Sequence, residues 1–187
     1  IFYKKTSEEA REKMKKYMKE NHCTFVFECV DMKHDPHIIE YKDDELYLLD
    51  IIKNDLKFST IPYDELTKLA DEFGLRVKEK AITLNNYDEF LDFYNETAEK
   101  DYKYHGRYIE GFVLRDQKDF MFKLKLSYYR RWKYLRTILD RVYQNLKVNE
   151  TGLSSEDKDF IEFARNKFKE DGEKRKIINM RNLFYNK

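Results

Sequence analysis

Apolar residues recur along this chain at helical spacing and then at strand spacing, and the switches between the two periods outline most of its elements. Ala10, Met14, Tyr17 and Met18 predict a helix running to about Asn21, opened by Thr6 with Glu9 three residues later in the capping-box arrangement. Its charged remainder reads as a solvated face. Residues 23–31 alternate: Phe25, Phe27 and Cys29 share one face of a strand, and Thr24, Val26, Glu28 and Val30 share the other. Residues 32–36 read as a turn. Residues 37–41 and 45–52 predict a hairpin about Asp43 and Asp44. Ser59 or Thr60 then caps a helix that has Pro62 in its first turn and stops at Gly74. Residues 75–84 predict a further strand, and Asn86 with Glu89 opens a helix over residues 87–100.

Residues 110–125 predict a tight hairpin. Phe112 and Leu114 oppose Val113 and Arg115 on the first arm, while Phe120, Phe122, Leu124 and Leu126 fall on one face of the second. Lys123 and Lys125 then point together to the opposite face, because strand side chains repeat every second residue. From Ser127 onward only helical spacing remains. Trp132, Leu135, Ile138, Leu139 and Val142 form the first buried stripe, and Gly152 lies in the turn that follows. The pattern predicts an α+β fold with a mixed region over residues 1–126 and a helical region over 127–187, the edge lying near Ser127.

Composition narrows this picture. At 187 residues the chain has room for one substantial domain or two small ones. Charged residues make up 39% of it and the net charge is only +1, so any nucleic-acid contact must come from local patches rather than a global field. Cys23 and Cys29 are too few for a disulfide framework or a Cys-rich zinc site and read as reduced core residues of a cytoplasmic protein. No apolar run approaches the roughly 18 residues of a membrane span, and no signal peptide is visible. The chain begins with Ile1, which sets the expectation of a fragment whose function draws on residues outside it.

The polar positions within these strands carry the candidate chemistry. Mg²⁺ takes one or two carboxylates together with phosphate oxygens and water, and lysines stabilise the charge of a phosphate losing pyrophosphate. Glu110, Lys123 and Lys125 supply both needs within one hairpin. Glu28, a carboxylate in an apolar strand, either faces solvent or lines a site where it accepts a hydrogen bond from a ribose hydroxyl. Arg130, Arg131, Lys133 and Arg136 follow Tyr128 and Tyr129; they suit an RNA strand, or they are the charged flank of a helix that packs Trp132 inward. His34 and His37 are near each other and read as loop surface rather than metal ligands.

The ordered segments FVFE, LLDI, EGFV and KLK resemble the covalent nucleotidyltransferase superfamily of ligases and capping enzymes. The helical tail makes the chain most similar to phage-type ATP-dependent RNA ligases of the single-strand-joining kind. The resemblance covers roughly residues 23–127. It implies a partial antiparallel-sheet nucleotidyltransferase domain followed by an all-helical one. It also implies a lysine that attacks the α-phosphate of ATP, giving lysyl-AMP, after which AMP passes to an RNA 5′-phosphate and a 3′-hydroxyl displaces it. On this resemblance Glu28 contacts the ribose, Leu49 is an apolar wall beside the adenine, Glu110 supports Mg²⁺ or Mn²⁺, and Lys123 with Lys125 holds the α-phosphate. RNA ends would be the partners, with a cleaved tRNA among the candidates.

The nucleophile departs from the pattern. The family's K-x-D-G precedes the FVFE strand, where this chain has only its first helix, and the string formed by Lys169, Glu170, Asp171 and Gly172 comes after KLK at a helix end. The expectation is that an upstream segment carries the adenylated lysine and that this chain alone does not adenylate itself. Two other readings stand beside this one. The first is a DNA ligase or capping enzyme, which the helical tail disfavours. The second is a non-catalytic RNA-binding or protein-interaction module.

Overall fold

The computed structural model describes residues 1–98 and 102–186. The fold is α+β, with seven helices and five strands among the described residues. They divide into two compact units: residues 1–37 with 41–84, and residues 38–40 with 85–187.

The first unit is built on a three-stranded sheet. Helix α1 (Phe2–Lys5) and helix α2 (Glu8–Asn21) precede strand β1 (Cys23–Val30), which pairs antiparallel with β2 (Glu45–Lys53). The other edge of β2 takes β3 (Arg76–Val77) in parallel, and helix α3 (Tyr63–Phe73) leads into it. Leu48 and Ile51 are fully buried on the inner face, where Cys23, Ile61, Leu66 and Ala70 join them under Tyr17 and Met18 of α2. Tyr17, Phe25 and Phe73 meet ring to ring, which ties both helices to the sheet.

Several expectations fail in this unit, each for a visible reason. The cap of α2 is Ser7, whose hydroxyl accepts from the Ala10 amide; the Thr6 hydroxyl is spent donating to the Phe2 carbonyl of α1. The predicted hairpin of residues 37–41 with 45–52 does not form, because both edges of β2 are taken by β1 and β3. Ile38 instead joins the core of the second unit, where buried Arg181 donates to its carbonyl. Neither Ser59 nor Thr60 caps α3: their backbones pair back onto β2, and Pro62 stands at the N-cap. Of the predicted strand over residues 75–84 only two residues pair. Gly74 ends α3 as expected, in the left-handed conformation.

The second unit holds helix α4 (Tyr87–Thr97), the hairpin of β4 (Gly111–Arg115) and β5 (Met121–Lys125), and helices α5 (Ser127–Tyr143), α6 (Ser155–Asp171) and α7 (Ile177–Tyr185). Asn86 caps α4 as the pattern predicts, accepting from the Glu89 amide; the last two residues of the predicted helix, 99 and 100, lie outside the described residues. The stripe of Trp132, Leu135, Ile138, Leu139 and Val142 is buried against Phe160, Ile161, Ala164 and Met180. Among the described residues only helices follow Ser127, and the compact units divide between Leu84 and Asn85, so that the hairpin and these helices share one unit.

Candidate active site

The hairpin of the second unit is made by a glycine. Gly111 has φ 151°, a value side chains rarely adopt, and a Cβ there would collide with the carbonyl of Leu124 on the facing strand. That close approach sets the register Gly111 with Lys125 and Val113 with Lys123. At the far end Asp116 closes the turn, accepting from the amides of Lys118 at 2.7 Å and Phe120 at 2.9 Å, while Arg115 bonds Asp119 at 2.6 Å. Phe112 packs on Phe93 and Phe122 on Phe90 of α4, so one hairpin face is covered by rings. Phe120 and Phe122 remain exposed, unlike Leu126, because the cover of α4 fades toward the turn.

The other face is open and carries the charges. Glu110, just before β4, forms an ion pair with Lys125, and both are part-exposed. Lys123, two residues along the same strand, is exposed and has no ion-pair partner among the described residues. Tyr129, one turn into α5, presents its ring to Lys125 at 4.8 Å and to Lys133 at 5.9 Å. Three cations, one carboxylate and a ring therefore border one surface, an arrangement that can take up a phosphate and a divalent ion together. No three His, Cys, Asp or Glu residues gather to cage a metal among the described residues, so a metal at Glu110 would draw its other ligands from phosphate and water.

Glu28 and Leu49 belong to the first unit. Glu28 is exposed on β1 and stands opposite Tyr47. The β1–β2 register shifts at Val26 and Phe27, leaving Leu49 without a partner. Leu48 and Ile51 both point to the core, so Leu49 and Asp50 between them turn to the face of Glu28 and Tyr47. Burial, followed by the nearby Tyr47 and Glu28, raises the pKa of Tyr41. Asp50 is buried, bonding the Ile51 amide and forming an ion pair with Lys78 at 2.9 Å. Sequence reasoning missed this pair and the part of Tyr129. The signal that singled out Glu28, a carboxylate in an apolar strand, applied equally to Asp50 in LLDI.

The arginine cluster on α5 splits. Arg130, Lys133 and Arg136 are exposed. Arg131 is engaged by α6: its Nε donates to Asp157 at 2.6 Å and a terminal nitrogen to Glu156 at 2.7 Å. Burial opposes its charge, but the bonds and charges of those two carboxylates outweigh it and raise its pKa. Glu156 also accepts from the Tyr185 hydroxyl of α7 at 2.7 Å, so one carboxylate links three helices.

Lys169 to Gly172 is the end of α6. Gly172 is its left-handed C-cap, and Arg175 is the main cause that holds the Asp171 carboxyl down at about 2. His34 is bonded to Asp31 and His37 stacks edge-on to Tyr41, so the two are separately engaged. No helix among the described residues is long and apolar enough to cross a membrane.

Comparison with known proteins bears on residues 2–129, which match the model of a family described as RNA ligase. The chain is similar to a tRNA ligase of Candida albicans, 27% identical over 90% of this chain and 23% of that protein. It is also similar to tRNA ligase 1 of Schizosaccharomyces pombe, 28% identical over 82% of this chain and 21% of that one. The chain thus spans less than a quarter of the length of these curated relatives.

Proposed function

The chain belongs to the RNA ligase family, and from that premise we propose that it supplies the nucleotide-handling and RNA-contacting part of an ATP-dependent enzyme that joins RNA 5′-phosphate and 3′-hydroxyl ends. The observation that carries this reading is the open hairpin face, where Glu110 and Lys125 are paired beside Lys123 within the matched span. Lys123 and Lys125 would hold the α-phosphate and spread its developing charge. Glu110 would hold Mg²⁺ with phosphate and water as its other ligands, and Lys125, its ion-pair partner, would lie beside that phosphate. The metal, when bound, neutralises charge on the pyrophosphate leaving group. Glu28 would accept from the ribose hydroxyls and Leu49 would wall the adenine. Arg130, Lys133 and Arg136 would contact the RNA backbone, with Arg131 left to hold α6. The names of the relatives favour a cleaved tRNA as the RNA.

The family's nucleophile sits in a K-x-D-G that precedes the first strand, whereas Lys169 stands exposed at the end of α6, beside the ion pairs of Lys167 with Glu170 and Asp171. The attacking lysine is therefore assigned to a K-x-D-G elsewhere in the reading frame. Intact-mass measurement with ATP and Mg²⁺ tests this on two samples, the present chain and the product of the complete reading frame. An adenylyl adduct on the longer protein alone, abolished there by Lys123→Glu, is the expected result. An adduct on the present chain would overturn the assignment of the nucleophile. With no adduct on either, the ligase reading fails and an RNA-binding module takes its place.

A further inference from the structure

A second charged concavity lies in the first unit. It encloses about 490 Å³ and is bordered by Lys4 and Lys5 of α1, Lys33 after β1, Lys42 before β2 and Arg76 of β3. Four separate segments bring these five cations around one hollow. The acids beside them are largely spoken for. Asp44 accepts from the Met32 amide at 3.1 Å and from Lys4 at 3.2 Å, Glu45 pairs with Arg76 at 2.7 Å, and nearby Asp31 is held by His34 and the Lys33 amide. Lys5, Lys33 and Lys42 are exposed and have no carboxylate partner among the described residues, with exposed Asp43 the remaining uncompensated acid at the rim.

We propose that this hollow is a phosphate-binding site for the backbone of the RNA strand, a proposal that rests on the RNA ligase reading for the identity of the polyanion. Three mobile ammonium groups around a wide, polar, solvent-open concavity suit successive backbone phosphates better than one buried anion. No ring is among the described residues lining it to stack a base, so the contact is with phosphates and indifferent to sequence. The fixed pairs Lys4–Asp44 and Arg76–Glu45 shape the hollow without adding net charge.

The test is equilibrium binding of a labelled single-stranded oligoribonucleotide without a terminal phosphate, measured across a salt series without ATP. The triple variant Lys5→Glu, Lys33→Glu, Lys42→Glu is compared with a control of equal charge change, Lys53→Glu, Lys57→Glu, Lys68→Glu, whose lysines are exposed elsewhere on the same unit. Circular dichroism melting confirms that both fold. The expected result is a tenfold or greater loss of affinity in the pocket variant alone, with a salt slope shallower by about 2, since each phosphate contact on a single strand contributes about 0.7. Equal losses in the two variants would show a net-charge effect and overturn the proposal, as would unchanged binding in the pocket variant or no RNA binding by the parent chain. Adenylyl-adduct formation by the longer protein needs no RNA, so its failure would strike the ligase reading and not the pocket.

Discussion

The two units hold their candidate functional side chains in place by different means. In the first, Glu28, Leu49 and Asp50 stand on strands whose opposite face is sealed by Leu48, Ile51 and Phe25 under two helices. Apolar burial fixes the backbone there, and the polar face is free to carry whatever chemistry it needs. In the second, the hairpin strands are only five residues long and one face is open. Its geometry rests on a glycine contact, an aspartate-closed turn and rings from α4, and the helices of the same unit add charged bridges to their apolar core. A scaffold of the first kind tolerates polar substitutions on its outer face. One of the second kind depends on single residues that cannot be exchanged for near equivalents.

The largest expected effect falls on Gly111. Gly111→Ala must relieve both the collision with Leu124 and the unusual backbone conformation, and it is expected to cost about 3 kcal/mol. Hydrogen exchange should quicken across β4 and β5 while β1 and β2 keep their protection. Uniform loss of protection in both sheets would erase the contrast between the units.

Arg131 and Arg130 sharpen the same comparison from within one helix. Arg131→Ala leaves Asp157 and Glu156 without their cation and should lower stability by about 2 kcal/mol, with RNA affinity unchanged in whatever fraction stays folded. Arg130→Ala should do the reverse, weakening RNA binding a few-fold with no shift in melting. Denaturant unfolding and anisotropy titration on the pair decide it, and equal stability of the two variants would mean that the α5–α6 bridge contributes nothing.

The smallest effect is expected at alkaline pH. Burial first, and then the hydrogen bond to Glu156, pushes the Tyr185 hydroxyl up to about 12. A group whose pKa is raised on folding contributes stability that is whole below its unfolded value, near 10, and is lost as pH climbs from about 10 to 12. Tyr185→Phe should therefore flatten part of the alkaline decline in stability and remove one late-ionising phenol from the ultraviolet titration. Loss of that phenol from the ordinary wave near 10 instead of from the late one would show that Tyr185 ionises as a surface tyrosine.

Much of the architecture was legible beforehand because its signals are local. The alternation around EGFV and KLK placed the hairpin and put Lys123 and Lys125 on one face, and Asn86, Gly74 and Gly172 marked helix ends where the structure has them. The failures share a cause. Ile38 and Ile39 have the composition of a strand arm, but a short apolar segment does not say which core will receive it, and here Ile38 is held by Arg181, 143 residues away. The strand expected over residues 75–84 likewise forms its ladder only at Arg76 and Val77, where it meets the parallel edge of β2. Arg131 looks no different from Arg130 in the sequence; its commitment to α6 depends on carboxylates about 25 positions on.

By itself, then, the sequence determined the periods, the helix stops, the ordered motifs and the family they signal, because these depend on neighbours within a turn or a strand. Tertiary structure alone decided which edges of β2 were filled, that Ile38 left the sheet for the helices, that Asp50 was buried with Lys78, and that five cations met around one hollow. Each of those outcomes required distant segments to compete for the same edge, core or charge, and the winner is set by packing and pairing energies that no local pattern encodes.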